Sequence, residues 1–121
     1  MINIFAVFFG GGLGSLLRYG ISKLVFTFYE GDFPLGTFIA NIISCLFLVS
    51  AIIYTKKMVD SELMKLFVIT GICGGFSTFS TFSFETFSLI KTGNFVIAFA
   101  NIGLSLIVGI GLIFMLLKNQ A

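Results

Sequence analysis

Apolar runs long enough to cross a ~30 Å hydrocarbon core as helix, about 20 residues each, recur four times in this chain. They cover residues 2–26, 35–54, 66–90 and 95–117, joined by short polar stretches. That pattern predicts an all-α membrane protein, one four-helix transmembrane domain filling residues 1–121. One segment breaks the apolar pattern. Between Gly71 and Phe87 the third run carries Gly74-Gly75 and then Ser77, Thr78, Ser80, Thr81 and Ser83, with Phe76, Phe79 and Phe82 interleaved at a spacing of three. In hydrocarbon such hydroxyls must find partners or line a polar path. Rings and hydroxyls side by side are expected to form a lining rather than an anchor.

Composition leaves no room for a soluble domain. Charged residues make up 10% of the chain, against about a quarter in soluble domains. The N-terminus has no basic segment before its apolar run and no small-residue cleavage pattern after it, so the first span is expected to be retained. Cys45 and Cys73 lie inside spans, where packing rather than a disulfide is expected. Histidine is absent, and with no acidic cluster zinc chemistry has no ligands. Phosphate-binding loops, triads and paired carboxylates are also missing from the sequence, which points away from an enzyme. No nucleic-acid partner is expected.

Four spans place both termini on one side. That side holds Lys56, Lys57, Lys65 and Lys118; the other holds Arg18, Lys23 and Lys91. The bias that sets orientation counts Lys and Arg in short loops, and here it nearly vanishes. Two readings follow: one poorly signalled orientation, or insertion both ways with antiparallel pairing. Four thin helices enclose little space, so a pathway favours an oligomer, of which a dimer is the smallest.

Polar positions within the spans narrow the chemistry. Gly10 and Gly14, and again Gly71 and Gly75, are four apart and form faces that let another backbone approach. Arg18 either snorkels as an anchor or faces an aqueous vestibule. The only proline, Pro34, is expected near the start of the second helix. Asn41, with Thr37 and Ser44 three to four residues to either side, makes one polar stripe. It serves as interhelical glue or as an amide donor to an anion. Gly74-Gly75 is the expected break in the third helix, read from residues alone as a kink, with a bound cation as the alternative. Glu85 is expected at an aqueous mouth. Asn101 and Ser105 share a face of the fourth helix. A stripe of amides, hydroxyls and phenyl rings, with a guanidinium and no carboxylate ring, suits an anion better than a cation. Phenyl edges carry the positive part of the ring quadrupole and can meet a small anion.

Gly11-Gly12-Leu13-Gly14 with Arg18, Leu35-Gly36-Thr37 with Asn41, and the run from Gly74 to Ser83 together resemble the CrcB/Fluc family of fluoride channels. The resemblance covers essentially the whole chain, and the third motif is the specific one. It implies an antiparallel dual-topology homodimer in the cell inner (plasma) membrane, with a broken third helix and two fluoride pores exporting cytoplasmic fluoride to relieve its toxicity. It implies that Phe79 and Phe82 line the path with their ring edges and that Asn41 is the pore amide. Ser80 and Thr81 continue as a hydroxyl track, Ser105 adds a hydroxyl from the fourth helix, Arg18 lies in the vestibule and Glu85 further out. The carbonyls of Gly74 and Ser77 would hold one structural sodium ion at the dimer two-fold, which replaces the kink reading.

Three positions depart from the family pattern. Ser77 stands where Thr is usual, an exchange a carbonyl ligand should survive. Ser44 replaces a common Gly and is expected to loosen packing near Asn41. Asn101 stands where some members carry Tyr, so the outer track is expected to differ. The rival is a small dual-topology proton-coupled transporter, of halide or drugs, which needs a titratable group deep in a span. A non-transporting membrane subunit would need polar glue but no ordered hydroxyl–phenyl track.

Overall fold

The computed structural model describes residues 1–57 and 61–119, so residues 58–60 of the expected connector lie outside the described residues. The described residues are helical, without strands, and include four helical stretches long and apolar enough to cross a membrane. Helix α1 spans Ile2–Phe28 and α2 Leu35–Lys57. The third stretch is composite: α3 (Glu62–Lys65), a π-helical segment (Leu66–Cys73), α4 (Gly74–Phe76) and, after Ser77 and Thr78, α5 (Phe79–Lys91). Helix α6 spans Phe95–Leu117.

Local chemistry sets these ends. Pro34 precedes Leu35, and its carbonyl takes the Phe38 N–H at 3.1 Å, opening α2. Ser61 caps α3 by accepting from Met64 N–H at 3.2 Å, with Glu62 in the first turn where the helix dipole favours an acid. That cap starts the third stretch four residues ahead of the apolar run at Leu66. Helix α5 closes with a Schellman motif: Asn94 N–H reaches the Leu89 carbonyl at 2.8 Å and Gly93 N–H the Ile90 carbonyl at 3.1 Å. Gly93 sits at φ 87°, a conformation open to glycine at little cost.

The tightest packing joins α1 to the π-helical segment and α4. Gly10 and Gly14 are buried on α1; Gly10 faces Gly71, Gly14 faces the backbone of Ile72 and Phe76, and Gly75 packs on Gly11. A Cβ on Gly10 would run into the Phe67 carbonyl, and one on Gly14 into the Ile72 carbonyl. A Cβ on Gly71 would stand 2.8 Å from the Gly10 Cα. The two small-residue faces therefore meet each other, backbone against backbone. On the other side α2 packs against α1 and α6, and α6 against α5.

Helical geometry ends elsewhere than the glycines suggested. Gly74 keeps φ −64° and ψ −37°, whereas Ser77 (φ −82°, ψ 156°) and Thr78 (φ −148°, ψ 114°) are extended. Close contact with α1 holds Gly75 in the helix, and the departure comes where side chains offer the backbone other partners. Phe76, which spacing alone aligned with Phe79 and Phe82, lies before this interruption and is buried at 2% exposure.

Candidate functional site

The polar stripe of α2 meets the third stretch at three successive levels. Ser44 Oγ donates to the Cys73 carbonyl at 3.2 Å, Asn41 Oδ1 accepts from Thr78 N–H at 2.8 Å, and the Thr37 hydroxyl stands beside the Glu85 carboxyl. Ser44 is buried, and its hydroxyl ties α2 to the π-helical segment. The hydroxyl at this position finds a backbone acceptor.

Two backbone donors are diverted at the interruption. In an unbroken helix the Thr78 and Thr81 N–H groups would serve the carbonyls four residues earlier, those of Gly74 and Ser77. Asn41 Oδ1 takes the first, and Thr78 Oγ1 takes the second at 3.2 Å as the N-cap of α5. The carbonyls of Gly74 and Ser77 lose their helical donors as a result. Both residues are exposed, and a Cβ on Gly74 would meet nothing within 4 Å. Among the described residues no group of three or more His, Cys, Asp or Glu side chains comes together.

The amide of Asn41 has its orientation fixed by this arrangement. Because Thr78 supplies a donor, the oxygen must face it, and both Nδ2 protons are left for another partner. Just beyond stand the paired rings of Phe79 and Phe82, with centroids 6.0 Å apart and planes at 36°. Phe79 is 80% exposed while Phe82 is half-buried. Ser80 is exposed and shares a 3.3 Å hydroxyl contact with Thr78. The interruption also places the positive N-terminal end of α5 at this point.

Thr81 and Glu85 turn toward an open cleft of about 760 Å³ that Thr37, Ser88 and the first-loop residues Glu30 and Asp32 also line. Glu85 is less freely solvated than its position implied. Its Oε1 is covered and accepts no hydrogen bond, although the Thr37 hydroxyl stands beside the carboxyl. Arg18 reaches the site from α1, where Nε donates to the Gly75 carbonyl at 3.2 Å. That bond ties α1 to α4. Ser105 stands behind α5, its hydroxyl turned to Asn101 Oδ1 at 3.4 Å.

Thr86 escaped the sequence reading, and Thr78 and Asn101, read there as a lining hydroxyl and an outer-track position, take further roles. Thr78 caps α5, a role that suits threonine but that no Glu or Gln three residues on marks in the sequence. Thr86 donates to the Phe82 carbonyl at 2.8 Å and accepts from Asn101 Nδ2 at 3.0 Å. Asn101 is 1% exposed. The four-residue step from Phe82 to Thr86 is a signal for such a back-bond, but its link to Asn101 requires the packing of α5 on α6.

Known proteins are similar to this chain over most of its length. The family model described as CrcB-like protein, Camphor Resistance (CrcB) matches residues 5–117. A protein of Flavobacterium psychrophilum named fluoride-specific ion channel FluC is 40% identical over 111 residues, covering 91% of this chain and 90% of its own. Proteins of the same name from Pyrococcus abyssi (45% over 108 residues, 88% of this chain and 85% of theirs) and Clostridium perfringens (44% over 113, 92% and 86%) are similar. The match runs from the first helix to the end of the fourth, and this chain belongs to the CrcB family, a family of multi-pass membrane proteins.

Proposed function

We propose that this chain is a passive, fluoride-selective ion channel of the plasma membrane that lets cytoplasmic fluoride leave the cell. The observation that carries the reading is the interruption at Ser77 and Thr78, where Asn41 gives its oxygen to the Thr78 N–H and keeps two amide donors, at the residue that immediately precedes the Phe79–Phe82 ring pair in the chain. A small, strongly hydrated anion needs donors to replace its water. Amide N–H, hydroxyls of Ser80 and Thr81, and phenyl edges supply them, while the carboxylates of Glu30, Asp32 and Glu85 stand in the cleft that Thr81 also lines. Hydrogen fluoride enters uncharged and ionises in a more neutral cytoplasm, so a passive path down the membrane potential suffices. No energy-coupling group is required.

The assembly we infer is an antiparallel dual-topology homodimer with two pores. The near-equal Lys and Arg counts of the two sides support it, as does the exposure of Gly74, Ser77, Phe79 and Ser80 along one stretch of the third span. In that assembly the third span works as a discontinuous helix. The freed carbonyls of Gly74 and Ser77 suit a structural sodium ion at the two-fold, which would neutralise facing dipoles there.

The test is fluoride efflux from liposomes holding the purified protein, with valinomycin balancing potassium and no pH gradient imposed. Rapid fluoride loss that collapses in Phe82→Ile supports the channel and its path. Fluoride movement that appears only under a pH gradient would instead favour a proton-coupled transporter, with the covered Glu85 oxygen as its first suspect.

A further inference from the structure

Asn101 is the most completely covered polar side chain among the described residues, on the face of α6 that it shares with Ser105. It stands in the middle of a directional hydrogen-bond chain. Ser105 Oγ donates to Asn101 Oδ1 at 3.4 Å, Asn101 Nδ2 to Thr86 Oγ1 at 3.0 Å, and Thr86 Oγ1 to the Phe82 carbonyl at 2.8 Å. Each hydroxyl has one proton. Once Thr86 gives its proton to the backbone it can only accept from Asn101, so the amide nitrogen must face it. The amide oxygen then needs a donor of its own, and Ser105 provides it.

The chain ends on the turn of α5 that bears Phe82. The face of α5 carrying Phe79 has nothing of this chain in front of it, since Phe79 is 80% exposed. Helix α5 is held from behind, where Thr86 and Leu89 are buried against α6. A threonine in a helix divides between two χ1 rotamers when its hydroxyl bonds the preceding turn, and such back-bonds bend the helix. The Asn101 amide selects one rotamer and so fixes where that bend falls.

We propose that Asn101 is a positioning residue for the ion path, setting the Phe82 turn of α5 through Thr86; the inference rests on the path described above. Loss of either member releases the same constraint. Asn101 also holds the single proton of Ser105 away from any passing anion, so Ser105 contributes lone pairs rather than a donor while the chain is intact.

The experiment compares fluoride efflux of wild type, Thr86→Val, Asn101→Leu, the double variant and Thr86→Ser, each counted per protein eluting as wild type does, alongside its thermal unfolding midpoint. Thr86→Val exchanges a hydroxyl for a methyl at nearly constant volume and decides the question even if Asn101→Leu fails to fold. We expect each single change to slow fluoride about tenfold, equivalent to ~1.4 kcal/mol, with the double variant no slower than the slower single and Thr86→Ser close to wild type. Near-wild-type efflux in Thr86→Val despite a lowered midpoint would reduce the chain to packing and overturn the proposal. Losses that multiply in the double variant would overturn it as well, by showing two independent effects. A wild type without fluoride efflux would instead remove the path itself, and the positioning role with it.

Discussion

With its oxygen bound to the Thr78 N–H, the Asn41 side chain both replaces a helical hydrogen bond at the interruption and leaves its two N–H donors for another partner. Asn41→Asp separates these roles. An aspartate keeps the acceptor for Thr78 but has no donors and brings a negative charge. Loss of one hydrogen bond to a charged group costs ~1.5–3 kcal/mol, so fluoride efflux should fall by about 10- to 100-fold before repulsion adds to it. The elution profile of the variant should stay that of wild type. Efflux at the wild-type rate would remove Asn41 from the path. Much of this was legible residue by residue. Thr37, Asn41 and Ser44 share a helix face by spacing alone, and a lone amide in a span needs a partner. The identity of the partners was not legible. Cys73, Thr78 and Glu85 lie on another span, and no local rule pairs position 41 with a backbone N–H at position 78.

Among elements, the contact of α1 with the π-helical segment sets how closely the helices approach. Gly14→Ala would press a methyl group onto the Ile72 carbonyl, whereas a Cβ on Gly12 meets nothing within 4 Å. Overpacking of this kind costs ~1–3 kcal/mol, while Gly-to-Ala at a free helix position gains up to ~1 kcal/mol. Thermal unfolding in detergent should therefore show Gly14→Ala destabilised and Gly12→Ala unchanged or stabilised. Equal midpoints for the two would contradict the backbone contact. The glycine faces were readable from their spacing of four, but the π-helical geometry of Leu66–Cys73 was not. An apolar run has the same composition whether its hydrogen bonds close to the fourth or fifth residue. The site of the interruption was likewise misplaced by propensity, because Gly74-Gly75 loosens a helix while Asn41 and the Thr78 hydroxyl are what replace its hydrogen bonds.

At the scale of the whole molecule, an exposed row of Gly74, Ser77, Phe79 and Ser80 has meaning only against a second copy or lipid. The antiparallel dimer predicts that single cysteines placed at the two ends of one span, in a background lacking Cys45 and Cys73, cross-link to each other across the dimer. Exclusive cross-linking between like positions would show parallel pairing instead. The proposed sodium ion predicts that long exchange into a sodium-free buffer of a bulky organic cation lowers both fluoride efflux and the unfolding midpoint, and that sodium restores them. Chain-wide order of motifs made the family readable, whereas assembly and bound ions depend on surfaces that a single chain does not complete.

The most direct measurement is the reversal potential of currents through the purified protein in a planar bilayer, with potassium fluoride on one side and potassium chloride on the other. A fluoride-selective passive channel predicts sustained currents that reverse close to the fluoride equilibrium potential and shift little when chloride is changed. Reversal that follows chloride or potassium, or transport that vanishes without a proton gradient, would contradict the account.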